Sequence, residues 1–107
     1  MHINSLKPYN KYKHIDNPNI EYIYIGIDSD NEYYCFLYKS AVNLPFSYLK
    51  NRGLNPDKIV KDLNLEIINE YGEKCIKGCY YLVYSKENVE EYLKPILKDK
   101  LNNIINR

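Results

Sequence analysis

The chain has 107 residues, half of them Asn (14), Ile (13), Lys (13) and Tyr (13), against one Ala, two Arg, two Phe and no Trp. A composition of 45% apolar and 27% charged residues excludes a disordered chain. The lack of an apolar run near ~18 residues excludes a membrane-spanning helix, and a net charge of +1 argues against a nucleic-acid binder working by charge alone. The four abundant types all have codons rich in A and T, so part of the bias reflects a low-GC genome. At this length about two-thirds of the unfolded surface can be buried, which allows a core without disulfides or metal.

Residues 1–19 are polar, contain Pro8 and Pro18 and show no apolar period. They read as an extended polar arm, with one domain over 20–107. Residues 20–27 (IEYIYIGI) alternate strictly and are rich in β-branched and aromatic types, which predicts a strand. Residues 28–32 (DSDNE) make a turn, and 33–39 (YYCFLYK) return as the second strand of a hairpin. A short helix over about 45–52 has Pro45 near its first turn and Gly53 past its end. Asn55-Pro56-Asp57 supplies an N-cap, a proline at the first helical position and an acid in the first turn. Val60, Leu63, Ile67 and Tyr71 then share a face, so a second helix is predicted over about 56–71, stopped by Gly72. Residues 75–84 (CIKGCYYLVY) form a third strand, with Gly78 a place for a bulge.

Ser85 caps a last helix carrying Val89, Leu93, Leu97, Leu101, Ile104 and Ile105, and Pro95 should kink or split it near Lys94. The expected fold is therefore α+β in the order β-β-α-α-β-α. It is a three-stranded, largely antiparallel sheet with helices packed on one face and a polar N-terminal arm. The apolar stripe of the last helix exceeds what three strands cover, so a homodimer through that helix is also expected.

Strand parity sorts the tyrosines. Tyr22 and Tyr24, Tyr34 and Tyr38, and Tyr80 and Tyr84 fall on one sheet face. Ile23, Ile25, Ile27, Cys35, Leu37, Cys79 and Val83 take the other. A tyrosine face offers large contact area with a polar tip and suits a protein interface. A wet face of good β-formers, or burial beneath the arm, would give the same pattern. Cys35, Cys75 and Cys79 point to the aliphatic face and read as core packing rather than reactive thiols. An odd cysteine count and no signal-like apolar segment place the chain in a reducing cytoplasm.

Asp28, Asp30 and Glu32 lie at alternate positions, but a calcium loop would need Gly and Glu where Tyr33 and Lys39 stand. The stretch YIGIDSDNEYYCFLY resembles the first hairpin of ribonuclease H-like nucleases, with Asp28 matching the aspartate that ends the first strand. That fold needs further strands and converging carboxylates, so the stretch reads as a polar hairpin turn. Residues 45–63 resemble a helix-turn-helix, with Gly53 in the turn. Asp57, Asp62, Glu66 and Glu70 against Lys58 and Lys61 give the would-be recognition helix the wrong sign for phosphates, which leaves a plain helix pair.

No Ser-His-Asp order, phosphate loop or zinc-protease motif occurs, and His2 and His14 both lie in the leader. The expectation is a non-enzymatic binding protein, without cofactor or metal, that occupies a partner protein's surface through Tyr22, Tyr24, Tyr34, Tyr38, Tyr80 and Tyr84. An inhibitor from a phage or mobile element, of anti-defence type, or an immunity or antitoxin protein would fit this description. The alternative is a nucleic-acid or nucleotide binder using Lys7, Lys11, Lys13, Lys94, Lys98 and Lys100 with tyrosine stacking.

Overall fold

The alternation over 20–27 and the β-forming run over 33–39 produce the hairpin they predict. In the computed structural model, which describes residues 6–95, β2 (Glu21–Ile27) pairs antiparallel with β3 (Tyr33–Lys39). The remaining elements, with β1 preceding this hairpin, are β1 (Lys11–His14), β4 (Leu44–Pro45), α1 (Phe46–Asn51), α2 (Pro56–Leu63), β5 (Ile67–Glu70), β6 (Glu73–Ile76), β7 (Cys79–Ser85), α3 (Val89–Tyr92) and β8 (Leu93–Pro95).

They build two antiparallel sheets. The main sheet has the order β7-β3-β2-β1, extended beyond β1 by the three-residue β8. The small sheet has the order β4-β6-β5. The described residues are thus mostly sheet, with helix confined to the short α1 and α2 and the single turn α3, which corrects the three-strand, helix-covered expectation.

Four local departures explain the difference. First, the polar N-terminal arm is not an arm at Lys11–His14, which form a strand inside the main sheet. Tyr12 stands opposite Tyr22 on one side and Pro95 on the other, and is 1% exposed. The two lysines beside Tyr12 lie on the opposite face, so polar-aromatic-polar alternation was itself a strand pattern. Second, the helix expected over 56–71 stops at Leu63. Asn64 enters the left-handed region (φ 55°), which asparagine tolerates, and the Leu65 N–H bonds back to the Val60 carbonyl. Ile67 and Ile68 then pair with Ile76 and Cys75 as a strand.

Third, residues 75–84 are two strands, not one. Lys77-Gly78, with Gly78 at φ +66°, carry the chain from the small sheet to the main one. The Asn43 side-chain carbonyl accepts from the Gly78 N–H at 2.9 Å. Fourth, the last helix is a single turn, Val89–Tyr92, followed by strand Leu93–Pro95. Pro95 cannot donate to a ladder and sits on an edge strand, where that is tolerated. Leu97, Leu101, Ile104 and Ile105, and with them the expected helix-mediated dimer contact, lie outside the described residues.

The strand between the two cores is β3: Cys35, Phe36 and Leu37 are consecutive and at most 1% exposed. One face packs Ile25, Cys35 and Leu37 against Leu44, Phe46, Leu49, Ile59, Val60 and Ile76 from the helices and small sheet. The other face packs Tyr12, Tyr22, Tyr24 and Phe36 with Val89 and Leu93. A sheet buried on both faces needs apolar residues at consecutive positions rather than alternation, and β3 supplies them.

The hairpin turn is organised by Asp28, whose Oδ1 accepts from the N–H groups of Glu32 (3.0 Å) and Tyr33 (3.2 Å). The Arg52 guanidinium lies 3.7 Å from Oδ2. Ser29 N–H donates to the Arg52 carbonyl at 2.8 Å, docking the turn on the end of α1. Gly53 is required there: at φ +84°, an added Cβ would stand 2.6 Å from the Ser29 Cβ. No helix among the described residues is long and apolar enough to cross a membrane.

Candidate protein interface

Pairing of β3 with β7 sets Tyr34 opposite Tyr84 and Tyr38 opposite Tyr80. With Tyr22 and Tyr24 on β2, all six tyrosines singled out by parity share one connected set of rings. Tyr24 meets Tyr34 at 5.8 Å and Phe36 at 5.6 Å between ring centroids, and Phe36 meets Tyr84 at 6.0 Å. Tyr22 meets Tyr38 at 5.7 Å, which in turn meets Tyr80 at 6.5 Å. Tyr84 and Tyr92 stack at 5.4 Å, and His14 lies against both. Tilted and edge-on contacts of this kind add about 0.5–1.5 kcal/mol per pair beyond burial.

The six are not equally available. Tyr22 and Tyr24 are 6% and 7% exposed and belong to the second core. Burial pushes the Tyr24 hydroxyl up to about 12 and raises Tyr22 as well, with neighbouring tyrosines adding to both. Tyr34, Tyr38, Tyr80 and Tyr84 are half-buried.

At the β7 end of the sheet, two residues that strand parity and helix position had assigned elsewhere join them. Tyr48 of α1, 41% exposed, lies 6.3 Å from both Tyr80 and Tyr81, and Tyr80 and Tyr81 are 5.5 Å apart. The result is a band, Tyr38-Tyr80-Tyr48-Tyr81, curving around the sheet edge. The adjacent Tyr80-Tyr81 pair was its only sign in the sequence, because consecutive strand residues point to opposite faces and can meet only around an edge.

Beside the band a groove of about 520 Å³ is lined by Ile20, Ile23, Leu37, Tyr38, Leu65 and Cys79, with Glu21 and Lys39 at its rim. Burial raises the Cys79 thiol, as it does Cys35, which is pushed up to about 11, so neither favours a nucleophilic thiolate. Cys35 and Cys75 are buried, as core packing requires. Asp28 spends its carboxylate on two backbone N–H groups and Arg52, and no group of three His, Cys, Asp or Glu side chains is placed to hold a metal among the described residues.

The lysines divide differently. Lys7 is exposed, and Lys11 lies 3.8 Å from Glu21. The register sets Lys13 between Glu21 and Lys94, on the same sheet face as Lys11. Lys98 and Lys100 lie outside the described residues. Comparison with known protein families, with curated proteins and with solved structures gives no match.

Proposed function

We propose that the chain is a non-enzymatic binding protein that occupies a partner protein's surface, through the tyrosine band at the β7 edge. The observation that carries this reading is the half-exposed run Tyr38-Tyr80-Tyr48-Tyr81 beside an apolar groove. Tyrosine is enriched at interfaces because it buries much area at little entropic cost and keeps a hydrogen-bonding tip. The buried Tyr22 packs edge-on against Tyr38 of this band, and Tyr34 and Tyr84, the former packed on buried Tyr24, continue the tyrosine face along the sheet. The expected biological class is a phage or mobile-element inhibitor of anti-defence type, or an immunity or antitoxin protein; size and composition support that class.

Affinity capture from a host lysate tests the reading, followed by titration of the captured partner. Combined Tyr48→Ala and Tyr80→Ala should weaken binding about tenfold or more, in the range of interface anchors. Undiminished binding by the double variant overturns the assignment to this band.

One observation favours a second reading. The register sets Lys13 opposite Lys94 along the ladder and puts Lys11 on the same face as Lys13, with the single carboxylate of Glu21 between them, a net-positive strip that suits a phosphate backbone. Binding through that strip would fall steeply with added salt, whereas binding through the tyrosine band would not.

A further inference from the structure

The groove of about 520 Å³ lies at the end of the main sheet where β2 starts and β3 finishes. The strand registers say what lines it. Continuing the β2–β3 register by two residues from Ile23 opposite Leu37 sets Glu21 opposite Lys39. Lys13 stands opposite Glu21, and Cys79 opposite Lys39. These four form one row across a single sheet face, and Lys11, Ile23, Leu37 and Tyr81 form the next row inward.

The walls of the groove are apolar. Ile20, Ile23, Leu65 and Cys79 are half-buried, and Leu37 beside them is 1% exposed. Ile23 shares a face with Leu37 yet belongs to neither core, and lines the groove instead.

The charges around it do not balance. Two carboxylates lie nearby, and each has its own lysine. Glu21 is 3.8 Å from Lys11, and Glu66, next to Leu65 in the chain, is 3.6 Å from Lys77. Lys39 is exposed and lines the groove, with no carboxylate at ion-pair distance among the described residues. An apolar wall next to an ammonium that no carboxylate neutralises complements an aliphatic tail with one negative head. The volume falls within the range of small-molecule sites, roughly 300–1,000 Å³.

We propose that this groove binds a free single-chain aliphatic carboxylate, its tail along Ile20, Ile23, Leu37 and Leu65 and its carboxylate on Lys39. This goes beyond the binding of a partner protein and does not rest on it. The tail takes half-exposed aliphatic surface out of water. The head meets a cation without displacing an existing ion pair. A cationic head would meet Lys39 with like charge, and both nearby carboxylates are already paired.

Titration of the full chain with dodecanoate below its micelle concentration, followed by amide chemical shifts, should saturate at one ligand per chain. The largest shifts should fall at Ile23, Leu65 and Cys79. Dodecyltrimethylammonium, with the same tail and the opposite head, should bind about tenfold more weakly or worse. Removing two methylenes from the carboxylate should cost about fourfold, as for a tail half-buried in an open groove. Lys39→Glu should weaken dodecanoate about tenfold and reverse the preference between the two heads, while Lys39→Arg should keep it. Ile23→Asn should abolish binding of the tail. If Ile23→Asn loses its folded circular dichroism spectrum, the Lys39 variants, whose side chain is exposed, decide alone.

No saturable binding, equal affinity for the two heads, or indifference to Lys39→Glu overturns the proposal. Sedimentation with phosphatidylglycerol vesicles without binding of free dodecanoate would assign the face to a membrane surface. A doubled mass in light scattering that dodecanoate does not reverse would assign it to a second copy. Either result also overturns the proposal. A chain that ignores dodecanoate but captures a protein through Tyr48 and Tyr80 would sink the carboxylate site and leave the proposed function standing. Dodecanoate binding with no such capture would do the reverse.

Discussion

Asp28 shows at the single-residue level how a carboxylate that resembles a metal ligand in sequence can be structural. Its oxygens are taken by the Glu32 and Tyr33 N–H groups and by Arg52. The backbone hydrogen bond from Glu32 is the largest cause holding its carboxyl below the ordinary value, against the opposing effect of burial. Because the folded value is depressed, its stabilisation is present above the unfolded value, about 3.9, and is lost as pH falls through the folded one. Asp28→Ala should therefore destabilise the fold at pH 7, with the gap to the parent narrowing in acid. Urea melts at neutral pH and near pH 3, compared between the two proteins, check this; a gap that widens in acid would contradict it.

Tyr71 is the opposite kind of residue. It is fully exposed, holds φ +54° and precedes Gly72 at φ +77°, so it occupies the first position of a two-residue turn with both φ positive. Asn or Gly fits that position and tyrosine is strained there. Tyr71→Asn should stabilise the chain by about 1 kcal/mol, seen as a higher urea midpoint with unchanged slope.

Among the elements, β1 carries the sharpest contrast with sequence reading. A four-residue strand with two lysines does not stand out by hydrophobicity, yet its Tyr12 is 1% exposed and edge-on to Phe36 at 5.9 Å. Around it, Tyr9 N–H donates to the Tyr24 carbonyl, the Tyr9 hydroxyl donates to Asp62 of α2 at 2.7 Å, and Ile15 N–H donates to the Tyr92 carbonyl at 2.8 Å, so the segment is tied at both ends. Tyr12→Ala should cost about 3–5 kcal/mol, as truncation of a buried ring does in a core. A loss within experimental error of zero, read from chemical denaturation, would mean that β1 detaches as an arm.

The β2–β3 hairpin and the start of α2 were legible because their signals are local: alternation, a self-bonding turn, and Asn55 accepting from the Lys58 N–H. Ile67 and Ile68 were not. Their spacing continues the α2 face, and only pairing with Cys75 and Ile76 makes a strand of them.

For the molecule as a whole, the sheet lies between two cores, one aliphatic and one aromatic. This placement consumes Tyr22 and Tyr24, which parity alone would have offered to a partner. It leaves the tyrosine band at the β7 end of the sheet as the surface offered to a partner.

By itself the sequence determined which residues alternate, where the first hairpin turns, where α1 and α2 begin, and that tyrosine is segregated from isoleucine along the strands. Those properties depend on neighbours a few positions apart. The tertiary structure decided which segments pair, that a polar leader supplies an internal strand, and that Tyr22 and Tyr24 of the tyrosine face are interior while the other four stay half-buried. Burial is set by what lies across the sheet, and those contacts join residues far apart in the chain, as Tyr12 with Tyr22 and Pro95, and Tyr48 with Tyr80. No local pattern encodes them.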